Sequence, residues 1–177
     1  MSRVAAAALF GSLALASFEA AAQQPQIPTI QTCNGTGARG KAIVKIDTRA
    51  DAQHQGTFEI GIELKCDAGG YPSGLVELSQ VNMSDSIVQG TIVSTTIDQL
   101  TSTGKHTPTL YVNGRCRADG APGCRFWLLI ANNRPANTDK GTPDIVSFLV
   151  LNGSGHRVAY GTGPVVRGNL EVAPTSN

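Results

Sequence analysis

The sequence predicts an all-β domain, an antiparallel β-sandwich or barrel-like body stapled by disulfides. Three observations predict it. Apolar residues recur with period two, as in TFEIGIELKC (57–66), where Phe58, Ile60, Ile62, Leu64 and Cys66 alternate with Glu59, Gly61, Glu63 and Lys65. Turn compositions interrupt these runs at intervals of about ten residues. Four cysteines, an even number, all lie beyond an export leader.

The leader comes first. In MSRVAAAALFGSLALASFEAAAQQ, Arg3 gives a short positive start, Val4–Ala16 is an apolar run of about 13 residues, and Ala20, Ala21 and Ala22 are the small residues a signal peptidase reads. Such a run is too short to span a bilayer. Residues 1–22 are therefore read as a signal peptide, and 23–177 as a single exported domain with a short disordered tail, APTSN. No later stretch is long and apolar enough for a transmembrane helix.

CNGTGARGKA (33–42) follows. Gly35, Gly37 and Gly40 fit G-x-G-x-x-G, and Gly35–Lys41 fit all but the last position of the P-loop pattern. Both motifs need a helix whose N-terminus holds phosphate. The next residues, AIVKID, alternate like a strand, and Ala42 stands where a P-loop needs a hydroxyl. The glycines are read as the approach to a first strand, with Ala42, Val44 and Ile46 on one side, and no nucleotide is expected.

Further β-type runs are SGLVELSQV, SIVQGTIVSTTI, TLYVNGRC, CRFWLLIA, DIVSFLVLN, HRVAYG and PVVRGNLEV. AGGYPSG, TSTGKHTP, ADGAPG, NNRPANTDKGTP, NGSG and GTGP separate them as turns or loops. A short helical turn around Thr96–Thr101 fits the local residues. CRFWLLIA and DIVSFLVLN are the most continuous apolar runs and are expected to be central and buried on both faces, with Trp127 in the core or at its edge.

Three cysteine pairings are possible. Cys116–Cys124, closing RADGAPG, and Cys33–Cys66, tying down the N-terminal side, are the favoured pair. The closest cysteines stand eight positions apart with no histidine nearby, which does not suit zinc.

Beyond the leader, 13 basic residues face 12 acidic ones, a net charge of +1 with no basic patch or acidic tail. Electrostatics therefore give no reason to expect nucleic acid or an anionic membrane as partner. Ser102–Lys105 fits S-x-x-K, but Gly104 and the following His106-Thr107-Pro108 argue for a loop where that motif needs a helix. His54, His106 and His156 lie beside turn residues, and no G-x-S-x-G accompanies them. No catalytic residue and no cofactor is assigned. For a metal, the weak candidates are Asn132, Asp139 and Asp144, oxygen ligands in a long loop that could hold Ca²⁺ although the spacing is not that of an EF-hand. Sequons begin at Asn34, Asn82 and Asn152.

From about Gly56 to Val172 the order of FEIGIELK, GYPSGLVEL, TPTLYVNGRC, CRFWLLIANNRP and TPDIVSFLVLNGSGHRVAYGTGPVVRGNLEV resembles the secreted bacterial post-COAP type domain. Asn132-Asn133-Arg134-Pro135 takes the place of that family's D-N-G-x-P loop, and Pro143–Phe148 that of its N-D-x-F-S-I strand. The resemblance implies an exported all-β domain of bacterial origin and brings no catalytic residues.

The expectation is an exported, non-catalytic β-domain with a binding or structural role, periplasmic or secreted, whose partner is a protein or glycan at the cell envelope. Its binding surface is sought in the loops Asn132–Asp144 and Gly153–Gly163, with Tyr71, Tyr111 and Tyr160 as contact aromatics. One alternative is a Ca²⁺- or carbohydrate-binding adhesion module. Another is an envelope hydrolase with a site assembled from distant residues.

Overall fold

The computed structural model of the chain describes residues 33–34, 36–46, 56–81, 88–134 and 141–173. Eight strands follow one another: β1 (Gly37–Ile46), β2 (Gly56–Cys66), β3 (Pro72–Val81), β4 (Val88–Thr103), β5 (Thr109–Ala118), β6 (Ala121–Ala131), β7 (Ile145–Leu151) and β8 (Arg157–Val172). Each pairs antiparallel with its neighbour in sequence, and β1 pairs with β8, so the sheet closes into a barrel. The signal peptide, His54, Asn82 and Asp139 lie outside the described residues.

Period-two alternation decides what the barrel encloses. Val44, Ile46, Phe58, Ile60, Leu100, Leu110, Val112, Leu128, Ile130 and Val146 are all buried in one core. Each large side chain moved out of water there contributes about 1.5–3 kcal/mol. Eight strands give a lumen about wide enough for side chains to fill. They do fill it. Phe58 and Phe148 meet across it edge-to-face at 4.9 Å, and among Ile60, Leu78, Phe126 and Phe148 only about 10 Å³ stays empty. Charged residues such as Arg39, Lys65 and Arg125 stand on the outer wall, the reverse of a lipid-embedded barrel with a polar lumen.

Gly37–Ile46 is strand throughout, and Lys41 pairs with Gly61 and Asn169. The helix that a phosphate-binding motif requires is therefore not formed. Residues 96–101, expected as a helical turn, belong to β4, which bulges against β5 at Ser94/Thr96 and Ile97/Gln99. HRVAYG and PVVRGNLEV, expected as two strands parted by a GTGP turn, are the single strand β8. Its first half pairs with β7 up to Pro164 and its second half with β1 from Val165 onward. Pro164, which has no amide hydrogen, sits where the partner changes, the kind of position at which a strand tolerates proline.

The largest correction concerns CRFWLLIA and DIVSFLVLN. They are not buried on both faces. Phe126, Leu128 and Ile130 of β6 and Val146, Phe148 and Val150 of β7 point inward, whereas Trp127, Leu129, Leu149 and Leu151 lie on the outer wall, Leu129 being 37% exposed. A closed barrel has a single interior, so the second apolar face of a strand is left outside.

Both disulfides join the expected cysteines, Cys33 to Cys66 and Cys116 to Cys124, with no free cysteine. Such bonds are consistent with an oxidising, extracytoplasmic compartment. Cys116 and Cys124 face each other across the β5–β6 hairpin, whose turn, Asp119-Gly120, has positive φ at both residues, as a two-residue hairpin turn requires. Cys33 bridges to Leu100 in parallel, and Asn34 closes a two-way bond with Ser102, its Nδ2 donating to the Ser102 carbonyl and its Oδ1 accepting from the Ser102 amide. At the other terminus Ala173, the first residue of the expected loose tail, donates its amide to Gly37. The rest of that tail lies outside the described residues.

Candidate functional site

With alternate strands running in opposite directions, the connections collect at two ends. The Cys33–Cys66 end gathers the starts of β1, β3, β5 and β7, the ends of β2, β4, β6 and β8, and the turns Asp67–Tyr71 and Gly104–Pro108. The opposite end holds Asp119-Gly120 and the turn Asn152–His156. A cleft of about 760 Å³ opens at the Cys33–Cys66 end and curls over the rim of β1–β3. That is within the range of small-molecule sites.

Its floor comes from inward positions at the strand ends, Ala38, Leu64 and Val172, beside Leu75 and Pro108. The rim is charged. Arg39, Lys65, Lys105, His106 and Arg134 line it against Glu63 and Glu171. Arg39 is spoken for, its Nη2 lying 2.9 Å from Glu171 Oε2. Among the described residues Lys65 and Lys105 make no ion pair, nor does Glu63, so two unpaired ammonium groups and one carboxylate stand over an apolar base.

One wall is fixed by the β6–β7 connection. Asp144 is fully buried, and its Oδ1 accepts from the amides of Asn133 (2.8 Å) and Arg134 (2.9 Å). The Asn133 side-chain amide donates to the Pro143 carbonyl, Asn132 Nδ2 to the Leu170 carbonyl, and Arg134 Nη2 to the Val165 carbonyl. This loop base is thus stitched to β8. Asp144 Oδ2, Arg134 Nε and Ser102 Oγ are buried polar atoms without a protein partner.

These bonds show what two of the metal candidates do. Asn132 offers a donor nitrogen to backbone and Asp144 pins backbone amides, while Asp139 lies outside the described residues. Among the described residues no three His, Cys, Asp or Glu are grouped to hold a metal. Ser102 and Lys105 part company: Ser102 faces inward at 2% exposure at the end of β4, and Lys105 is exposed in the following turn. His106 and His156 stand at opposite ends of the barrel. Of the two loops expected to share a binding surface, Gly153–Gly163 is a turn only to His156 and from Arg157 is strand β8, which runs back to pair Gly163 with Val146. Asn132 and Arg134 reach the cleft, whereas the Gly153–Gly155 turn does not. Of the aromatic candidates, Tyr71 is 55% exposed in the β2–β3 turn, and Tyr111 and Tyr160 lie on the outer wall. At two of the sequons the asparagine is engaged: Asn34 on Ser102, and Asn152 Oδ1 with the amides of Ser154 and His156.

Comparison with known proteins finds no match to this chain, whether a family model, a curated protein or a solved structure. No helix among the described residues is long and apolar enough to cross a membrane.

Proposed function

We propose that the protein is an exported, non-catalytic binding barrel that holds a small amphipathic anion in the cleft at its Cys33–Cys66 end. The observation that carries this reading is the pairing of an apolar floor, Leu64 and Val172, with Lys65 and Lys105 at the rim, neither of them ion-paired among the described residues. An acyl or aromatic body would rest on the floor while its anionic head meets the ammonium groups. Because the lumen is packed, the ligand stays at the mouth and does not enter the barrel as it would in a hollow carrier. The disulfides and the leader read over residues 1–22 support export to a periplasm or beyond.

The test is a fluorescence titration with a fluorescent long-chain fatty acid, with an uncharged alkyl glucoside as comparison. The fatty acid is expected to bind and the glucoside to bind at least tenfold more weakly. A Lys65→Glu, Lys105→Glu double variant should lose the preference. Binding of neither probe, or equal binding of both, removes the reading.

A further inference from the structure

The outer wall of β5–β8 carries side chains that neither the core nor the cleft uses. Reading across the strands, outward positions fall into rows: Tyr111, Leu129, Ser147 and Thr162, then Asn113, Trp127, Leu149 and Tyr160, then Arg115, Arg125, Leu151 and Arg157. Two rows thus carry rings and aliphatic side chains, and the third carries three guanidinium groups. Arg117, on the same face of β5, adds a fourth.

Arg115 and Arg125 are direct cross-strand partners. Like charges opposite one another destabilise a sheet, and only Arg115 is compensated, by Asp98 Oδ1 at 3.6 Å and Thr96 Oγ1 at 3.1 Å. Arg117 and Arg125 make no ion pair with a described residue. Arg157 lies over the Tyr160 ring at 4.9 Å, which holds its planar group along the wall. Among the described residues, guanidinium groups thus stand without anionic partners next to aromatic side chains.

We propose that this wall docks an acidic polysaccharide, a chain of sugar rings bearing carboxylates. Pyranose C–H faces fit the electron-rich faces of Trp127 and Tyr111, and carboxylates fit guanidinium forks. From Tyr111 on β5 through Trp127 on β6 to Arg157 on β8 is three strand spacings or about 14 Å, which accommodates a short oligosaccharide stretch laid across the strands. Beside the rings stand polar pairs, Ser147 Oγ with Thr162 Oγ1 at 2.8 Å across β7–β8 and Asn113 Nδ2 with Gln99 Oε1 at 3.0 Å across β5–β4. Hydroxyl-rich sugars can engage these, whereas the apolar core of a protein interface would strip them of water. The wall lies at the side of the barrel and uses none of the cleft residues, so the two readings stand or fall separately.

The test is calorimetric titration of the purified protein with polygalacturonate, with uncharged dextran, and with a single-stranded oligothymidine as a polyanion of different chemistry. Polygalacturonate should bind, with affinity falling as salt rises, and dextran should not. Arg125→Glu, Trp127→Ala and Tyr111→Ala should each weaken it at least tenfold, with thermal midpoints confirming folded barrels. Lys105→Glu, in the cleft, should leave it unchanged. The proposal is overturned if polygalacturonate does not bind, if dextran binds equally, or if the oligothymidine binds more tightly. It is also overturned if Arg125→Glu abolishes binding while both ring variants keep it (simple ion exchange), or if Arg125→Glu instead dissolves a dimer seen by sedimentation.

Discussion

Asp144 Oδ1 takes two backbone amides while the whole residue is shut off from water. Its own carbonyl accepts from Val165, so one residue fastens the β6–β7 connection to β8. Asp144→Ala would leave two amide donors without an acceptor, a loss on the order of 3 kcal/mol. Asp144→Asn keeps one acceptor oxygen and should cost less. Urea midpoints of the two variants check the ordering. Lys41 is a contrasting case on the surface. Its ammonium lies 2.7 Å from Glu59 Oε1, and that hydrogen bond, followed by the charge of Glu59, holds its pKa above the ordinary lysine value. A folded pKa above the unfolded one gives stability that is present below the unfolded value, about 10.4, and is lost as pH rises through the folded value. Lys41→Met should therefore flatten the dependence of the thermal midpoint on pH above about 10 and change little near neutrality, where exposed pairs contribute little.

The strands show how much of this molecule can be read from its residues. β2 was legible because its alternation is pure: Glu59, Gly61, Glu63 and Lys65 separate its apolar residues, so the inward set follows directly. In β1, by contrast, Ile43 is buried along with its inward neighbours Ala42 and Val44. β6 and β7 were located correctly but given two buried faces. Trp127, Leu129 and Leu149 look like core to any local measure, and only closure of the sheet, a property of eight strands together, puts them outside. The cleft was less legible still. Lys65, Lys105 and Arg134 come from separate elements with no shared motif, although the loop opening at Asn132 was singled out for its length and does supply one wall. Bulges are similarly silent in sequence. At Gly114, where β4 bulges toward β5, an added Cβ would lie 2.1 Å from the Thr96 carbonyl oxygen and 2.9 Å from the Phe126 ring. Gly114→Ala should therefore destabilise by about 2–3 kcal/mol, read as a drop in the denaturant midpoint.

For the molecule as a whole, the two disulfides act over different lengths of chain. Cys33–Cys66 spans a separation of 33 residues and Cys116–Cys124 one of 8. On the chain-entropy account these restrict the unfolded state by about 3.7 and 2.5 kcal/mol respectively. Replacing Cys33 and Cys66 by serine should thus cost more than replacing Cys116 and Cys124, by about 1 kcal/mol, in matched equilibrium unfolding. Beyond that difference, β1 and β8 are the neighbours that sequence does not place side by side, and they meet with Ala173 donating to Gly37. A ring ordered this way has no privileged starting strand. Linking residue 173 to residue 33 with a short flexible peptide and cutting between Asp119 and Gly120 would yield a circular permutant whose new termini stay bridged by Cys116–Cys124, and its far-ultraviolet dichroism should match that of the parent.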